Sequence, residues 1–433
     1  MKILYVSQYF PPETNAPAAR VYELARHWAR MGHEVTVLTG FPNHPTGVIP
    51  PDYRAKWRRL VCREHVDGIN VIRVWLAPFA NRGVQRRILN FISFWLSSSL
   101  VGTFLARPDT VIATSPQLLV GLTGWWLGKV KRAPFFFEVR DLWPEELTAV
   151  GASGRRSVVY RSSEAVARFL YRRSDHIVVV TPAFKDRLIA HWGIDPKKIS
   201  VVENGVETSL FSPGGDGVVR KELGLEGKFV VSYIGTIGMA HGLDTVLEVA
   251  EKVRADNPGI AFVLVGEGAE RENLRSMAAR KGLTNVLFVD QRPRELVPGY
   301  IRASDACLVL LKKKDYFTTV IPTKLLEFMA CGRPVILGVE GQAREIVEHA
   351  GAGLCVEPEN VGALATAILR LDSDAALRRV HGENGRRWIL EHFSRVKTAA
   401  AYLEVLQGIK GSRVRVSEPL LKSCDSAENP RRL

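Results

Sequence analysis

Ile3-Leu4-Tyr5-Val6-Ser7 opens the chain, and Glu34-Val35-Thr36-Val37-Leu38-Thr39 follows one helix length later. Both runs are apolar or β-branched on consecutive positions, as strands covered on both faces are. Between them Val21, Leu24, Ala25 and Trp28 recur at helical spacing, from a Pro17 start to a Gly32 stop. Strand, helix and strand in this order make a right-handed crossover, and its repetition builds a parallel sheet. The pattern does repeat. Strands are expected at 69–75, 110–114, 134–139 and 176–181, and a second series starts at 229–235, 260–266, 286–290, 305–311 and 334–338. A loop-rich stretch, Phe211-Ser212-Pro213-Gly214-Gly215-Asp216-Gly217, separates the two series. The expected fold class is α/β: two Rossmann-like, doubly wound domains facing across a cleft, with ligands at the carboxyl ends of the strands. The expected division is 1–205, 206–395, a helix at 396–410 that can cross back to the first domain, and a loose tail at 411–433.

Composition agrees with this architecture. A chain of 433 residues, 46% hydrophobic and 24% charged, has room for two ordinary domains and is neither disordered nor fibrous. Cys62, Cys307, Cys331, Cys355 and Cys424 are scattered, with no CxxC pair. They suit neither a disulfide framework nor a zinc site, so a reducing, cytoplasmic setting is expected. The first apolar run is too short for a signal peptide.

Charge is uneven. Residues 1–203 hold 28 Lys/Arg against 16 Asp/Glu, whereas residues 204–433 hold 31 against 29. The first half therefore expects an anionic partner. Within it, residues 88–106 form 19 positions without charge, flanked by Arg82, Arg86, Arg87 and Arg107. Asn90, Ser93 and Ser97 run a polar stripe down this segment, next to Ser98, Ser99 and Thr103. A packed or membrane-surface helix fits that stripe better than a spanning one.

Two stretches carry chemistry. In Gly235-Thr236-Ile237-Gly238-Met239-Ala240-His241-Gly242, a strand end runs through a glycine loop towards a helix start, a place suited to phosphate. The spacing is neither GxGxxG nor GxxxxGK[ST], which argues against a dinucleotide dehydrogenase and a P-loop kinase, and taken alone the stretch is a weak signal that reads more readily as a plain strand-to-helix turn. In Pro322-Thr323-Lys324-Leu325-Leu326-Glu327, Lys324 falls in the first helical turn, where the dipole disfavours a cation unless an anion shares the site. Glu327 lies one turn on, beside Thr323 and Lys324. A simple surface pair of Lys324 and Glu327 is the bland alternative. Asp372-Ser373-Asp374 imitates a metal-binding DxD, yet it precedes a helix and reads as a cap.

The second stretch resembles the donor-site motif of retaining glycosyltransferases of family 4, which have the GT-B fold. The likeness extends over about 400 residues. It includes Arg20-Val21-Tyr22-Glu23-Leu24-Ala25, Gly32-His33-Glu34-Val35, Val202-Glu203-Asn204-Gly205-Val206, Leu264-Val265-Gly266-Glu267-Gly268 and Ala350-Gly351-Ala352-Gly353-Leu354. Gly40-Phe41-Pro42-Asn43-His44-Pro45 and Arg140-Asp141-Leu142-Trp143-Pro144-Glu145 resemble the WbuB-type subgroup, N-acetyl-L-fucosaminyltransferases of bacterial surface polysaccharide.

This resemblance implies a nucleotide-sugar donor, UDP-linked, and a polyprenyl-diphosphate-linked glycan acceptor. It implies no cofactor, no metal and no nucleic acid. The enzyme would work in the cytoplasm, peripherally bound to the anionic inner face of the membrane. Lys324, Asp141 and His241 are the catalytic candidates. Gly235, Thr236, Gly238, Glu267, Arg292, Thr319, Thr323, Leu325 and Glu327 are donor candidates, and Asn15, His44 and Arg140 are acceptor candidates. The chain departs from the family pattern at several of these. Thr319 replaces the first carboxylate of the E-x7-E pair, and Thr236 and His241 replace the arginine and lysine on the diphosphate. Arg140 replaces a histidine, and Glu13-Thr14-Asn15-Ala16-Pro17 stands in the place of a Gly-Gly loop. A protonated His241 would restore part of the missing charge. A nucleotide-sugar 2-epimerase and a non-catalytic nucleotide-sugar-binding subunit are the competing readings.

Overall fold

The computed structural model describes residues 1–79, 84–145, 156–215 and 217–408. Arg82 and the tail expected at 411–433 lie outside them. The first sheet contains β1 (Lys2–Val6), β2 (Glu34–Gly40), β3 (Val61–Val66), β4 (Ile69–Val74), β5 (Thr110–Thr114), β6 (Phe135–Val139), β7 (His176–Val179) and β8 (Ile199–Val201), in the order β3-β4-β2-β1-β5-β6-β7-β8. The second contains β9 (Phe229–Ile234), β10 (Ile260–Val265), β11 (Val286–Val289), β12 (Ala306–Leu310), β13 (Val335–Gly338) and β14 (Gly353–Cys355), in the order β11-β10-β9-β12-β13-β14. In each sheet the winding reverses beside the first strand, between β1 and β5 and between β9 and β12. Such switch points open crevices for ligands at the strand carboxyl ends.

Central strands are apolar on both faces. Ile3, for example, is paired between Val35 of β2 and Thr110 of β5, and helices cover the sheet above and below. The parallel rule has one exception among the described residues: β3 runs antiparallel to β4. It alternates exposed and half-buried side chains, as an edge strand does, and turns into β4 through Asp67 and Gly68, both at positive φ.

The helix Ala16–Arg30 joins β1 to β2. Asn15 caps it by accepting from the Ala18 N–H at 2.9 Å, Pro17 lies in its first turn, and Gly32 leaves it at φ +83. The last described helix, Arg395–Gly408, packs on it, and the Trp28 indole N–H donates to the Ala399 carbonyl at 2.9 Å. Ala399, Tyr402, Leu403 and Leu406 thereby join the same core as β1 and β2. The chain crosses between the sheets twice side by side, where Val206 bridges to Ser394.

The uncharged segment forms the helix Val84–Thr103, and its polar stripe faces inward. Asn90 donates to the Ala77 carbonyl at 2.7 Å and accepts from Gln8, Ser93 accepts from the Ala77 N–H, and Ser98 bonds Thr123 at 3.0 Å. Leu89, Leu96, Leu100 and, just beyond the helix, Phe104 face outward, Phe104 with 80% of its surface exposed. No helix of the described residues is long and apolar enough to cross a membrane.

Candidate active site

The carboxyl ends of β9, β10 and β12 hold most of the donor candidates. Gly235 follows β9 at φ +139, and a Cβ there would lie 2.9 Å from the Lys324 Nζ. Gly266 and Gly268, also at positive φ, let the next loop lie directly against Gly235 and Ile237, where a Cβ would meet a carbonyl oxygen at 2.0 and 2.1 Å. The Glu267 carbonyl accepts from the Ile237 N–H at 2.9 Å, so this residue shapes the loop with its backbone. Thr236 is exposed and Gly238 half-buried on the same loop.

Lys324 rises to this loop from the first turn of the helix Thr323–Ala330. Its Nζ donates to the Tyr233 hydroxyl at 2.7 Å and lies 3.9 Å from that ring's centre. Burial pulls its pKa from 10.5 down to about 7, against the opposing attraction of Glu327. The cap residue is Pro322, which offers no side-chain acceptor to the first N–H groups of the helix. Cation and helix amides thus converge on one place. Leu325 contributes only backbone there: its side chain is in the core and its N–H bonds the Pro322 carbonyl at 3.0 Å.

The cationic His241 expected from the sequence is corrected. Burial and the Lys324 charge push its pKa from 6.5 to about 3, so the ring is neutral. Its Nδ1 lies 3.2 Å from the Leu310 carbonyl, which makes that nitrogen the donor. Thr319 ends a 3-10 turn, Asp315–Thr319, and its hydroxyl bonds back to the Tyr316 carbonyl at 2.7 Å. The Thr319 carbonyl accepts from Thr181 of the first domain at 3.0 Å, so this residue joins the two domains through its backbone.

Glu327, one turn after Lys324, accepts from the Arg294 guanidinium at 2.9 Å. Arg294 was not among the residues singled out from the sequence. Arg292, which was, lies over the Tyr300 ring with 5.6 Å to its centroid. Nothing near Arg294 in the chain announces its contact, because Glu327 is 33 residues away and its other partner, Glu23, is 271 away.

Across the cleft, Arg140 and Asp141 follow β6. Both backbone N–H groups donate to the Ser115 hydroxyl, at 2.7 and 3.2 Å. Burial raises the Asp141 carboxyl above its ordinary range, opposed by Arg140. Arg140 is itself held down by burial and by Arg20, and among the described residues its Nε and Nη1 have no hydrogen-bond partner. Arg20 is paired with Glu138 at 2.9 Å. The Asn15 amide oxygen is committed to its helix cap. His44 packs edge-on to Tyr9, with burial and Arg87 lowering its pKa to about 4. Glu13, which opens the run standing in place of the Gly-Gly loop and was given no role of its own, accepts from the Asn43 and His44 N–H groups at 3.0 and 2.9 Å. Burial raises its pKa to about 7. Asp374 of the DxD-like run caps the next helix, accepting from the Leu377 N–H at 2.8 Å.

Comparison with known proteins agrees with this layout. Residues 15–205 match the family described as Glycosyl transferase 4-like domain, and residues 218–388 match Glycosyl transferases group 1. Glycosyl transferase WcaI of Escherichia coli (strain K12), assigned to colanic acid biosynthesis, is 27% identical over 384 residues, 85% of this chain and 91% of its own length. Sucrose-phosphate synthase from Thermosynechococcus elongatus superposes with a TM-score of 0.75 at 21% identity, covering 95% of this chain and 99% of that one. Anabaena Alr3699/HepE, solved in complex with UDP and glucose, superposes with a TM-score of 0.71 at 18% identity, covering 94% and 99%. Two doubly wound domains, the first 4-like and the second of group 1, place this chain among the glycosyltransferases of the GT-B fold.

Proposed function

We propose that the enzyme moves a sugar from a nucleotide-diphosphate sugar, UDP-linked, to a polyprenyl-diphosphate-linked glycan, with retention, in the assembly of bacterial surface polysaccharide. The observation that carries this reading is the seat of Lys324. A half-buried cation stands where the helix dipole opposes it, beside helix N–H groups that no side chain caps, and a diphosphate relieves all three penalties at once. Gly235, Thr236, Gly238, Glu267 and Thr323 then surround the phosphates with backbone and hydroxyl donors, and Glu327 accepts from the ribose hydroxyls.

In the transfer the bond from the anomeric carbon to the β-phosphate oxygen breaks, and its electron pair leaves with the diphosphate. The acceptor oxygen bonds the same face of that carbon, and its proton passes to the departing phosphate. Lys324 opposes the charge that develops on the leaving group. Arg140 and Asp141 are on the acceptor side of the cleft, with Asn15 and His44 on the loops around it. No cofactor or metal enters this scheme. Colanic acid, named for the Escherichia coli relative, and UDP, bound in the Anabaena structure, support the substrate classes. N-acetyl-L-fucosamine is the donor sugar to try first.

A membrane-surface station goes with such an acceptor. Leu89, Leu96, Leu100, Phe104, Trp126 and Val130 are exposed, and Arg86, Arg87, Arg107, Lys129 and Lys131 flank them in the chain. Exposed apolar side chains with cations near them in the chain suit an anionic bilayer surface, from which the first domain reaches the sugar of a lipid whose tail stays buried. The inner face of the cytoplasmic membrane is the proposed location.

The test is a donor panel (UDP-, GDP- and dTDP-sugars) offered with a polyprenyl-diphosphate-linked sugar. Mass spectrometry should find one sugar added to the lipid, and NMR of the product an unchanged anomeric configuration. Release of free epimerised nucleotide sugar, or donor binding with no transfer to any acceptor, would overturn the reading.

A further inference from the structure

Arg294 stands between the two domains. Its Nη2 and Nε donate to one oxygen of Glu23 at 2.7 and 3.2 Å, and its Nη1 donates to Glu327 at 2.9 Å. Glu23 belongs to the first-domain helix Ala16–Arg30, whereas Glu327 belongs to the donor-side helix Thr323–Ala330. The guanidinium also lies over the Phe211 ring, 4.9 Å from its centroid, which fixes its plane. The second oxygen of Glu23 accepts from the Arg395 Nε at 2.8 Å, and Arg395 donates onward to the Gly205 carbonyl. Gly205 and Arg395 lie on the two adjacent crossings between the sheets, joined there by Val206 and Ser394. Four side chains therefore run in alternating charge from the donor helix to the interdomain crossing: Glu327, Arg294, Glu23, Arg395. All are at least four-fifths buried.

We propose that Arg294 is a positioning residue that aims the Glu327 carboxylate at the donor and ties it to Glu23, so that nucleotide binding and the seating of the two domains form one coupled equilibrium. This rests on the reading of Glu327 as a donor ligand. A carboxylate that is to accept from ribose hydroxyls must be ionised and held in one rotamer. Burial works against ionisation of Glu327 and raises its carboxyl above the ordinary range; Arg294 is the first of the groups that oppose this. The other charged or titratable groups facing Glu327 are Glu23, which raises it further, Lys324 on its own helix, and the Cys331 thiol at that helix's end. The same guanidinium that opposes this rise at Glu327 also bonds Glu23. Separating the domains removes two of its three side-chain hydrogen bonds, and a nucleoside that engages Glu327 favours the arrangement in which Arg294 holds both.

Nucleoside diphosphate affinity measured by calorimetry, with UDP as probe and GDP in parallel, across pH 5 to 8, separates the possibilities. Arg294→Met keeps the packing on Phe211 and removes the charge. Its binding should weaken about tenfold, and the acid limb of its affinity should move upward by about one pH unit or more, because a less supported Glu327 takes up its proton earlier. Arg294→Lys should restore most of the limb. Glu23→Gln, in the other domain, should weaken binding by about three- to tenfold. Wild-type affinity in a folded Glu23→Gln protein, or an unmoved acid limb in Arg294→Met, would overturn the proposal. Glu327→Gln reports on the reading beneath it. If that variant binds nucleotide as wild type does, the donor role of Glu327 is wrong; if it binds weakly while the Arg294 and Glu23 variants do not, only the coupling is wrong.

Discussion

The Tyr233 hydroxyl accepts from the Lys324 ammonium at 2.7 Å and donates its own proton to the Thr236 carbonyl at 2.6 Å. One phenol thus fixes both the cation of the donor helix and the glycine loop facing it. Because its proton is committed to Thr236, only its lone pairs can face Lys324.

Replacing Tyr233 with Phe should keep the ring and remove both bonds. Charge-assisted hydrogen bonds contribute about 1.5–3 kcal/mol, so kcat should fall about tenfold or more. The melting temperature should drop by only a few degrees. Steady-state kinetics of Tyr233→Phe with wild-type turnover would show that Lys324 needs no such support.

The lowered pKa of Lys324, about 7, gives a pH signature. Above that value the empty-handed amine is neutral, and a diphosphate restores its charge. Nucleoside diphosphate binding should therefore take up protons at pH 8, and affinity should decline as pH rises past 7. Calorimetry in two buffers of different ionisation enthalpy measures the uptake. No proton uptake at pH 8 would place Lys324 away from the phosphates.

Glu207 sets an acid limit on stability. Burial alone would raise its carboxyl, but hydrogen bonds from His27 and Ser209 and the charge of Arg26 hold it at about 2, below the ordinary 4.5. A depressed carboxyl stabilises the fold fully above 4.5, and that contribution is lost as pH falls towards 2. Glu207→Gln should cost up to about 3 kcal/mol at pH 7 and much less near pH 3, as urea titrations at the two pH values would read. An equal cost at both would mean that packing, not charge, is lost.

Much of the fold was legible because β1, β2, β5 and β9 are buried on both faces and so read as unbroken apolar runs. β3 was not. Its Val61-Cys62-Arg63-Glu64-His65-Val66 alternates with charges, as an exposed edge must, and the turn at Asp67-Gly68 was not read from the sequence. Lys324 was legible from its quarrel with the helix dipole, a local fact. Arg294 was not, since its bonds to Glu23 and Glu327 exist only once both domains are folded. The stripe of Asn90, Ser93 and Ser97 showed the period of its helix but not its direction. The polar side chains turned inward because the unpaired backbone groups of Trp75 and Ala77 needed partners.

That inversion gives the membrane reading its sharpest variant. Leu96→Glu with Leu100→Glu places charge on the outer face, where neither side chain is buried. Each basic residue near an anionic surface contributes about 1 kcal/mol, screened by salt. Wild-type protein should sediment with anionic liposomes at low salt and less at high salt, the double variant should stay largely in the supernatant, and UDP affinity should not change. Wild-type protein that ignores anionic liposomes at low salt would refute it.

Turnover of the Lys324→Ala enzyme tests the central claim most directly. With the productive donor and lipid-linked acceptor, release of nucleoside diphosphate should fall by about 10- to 150-fold or more, because a charge-assisted contact to the leaving diphosphate is lost. Circular dichroism should be unchanged, since Lys324 stands in the first turn of its helix and Ala is a good helix former there. Turnover within twofold of wild type would contradict the account.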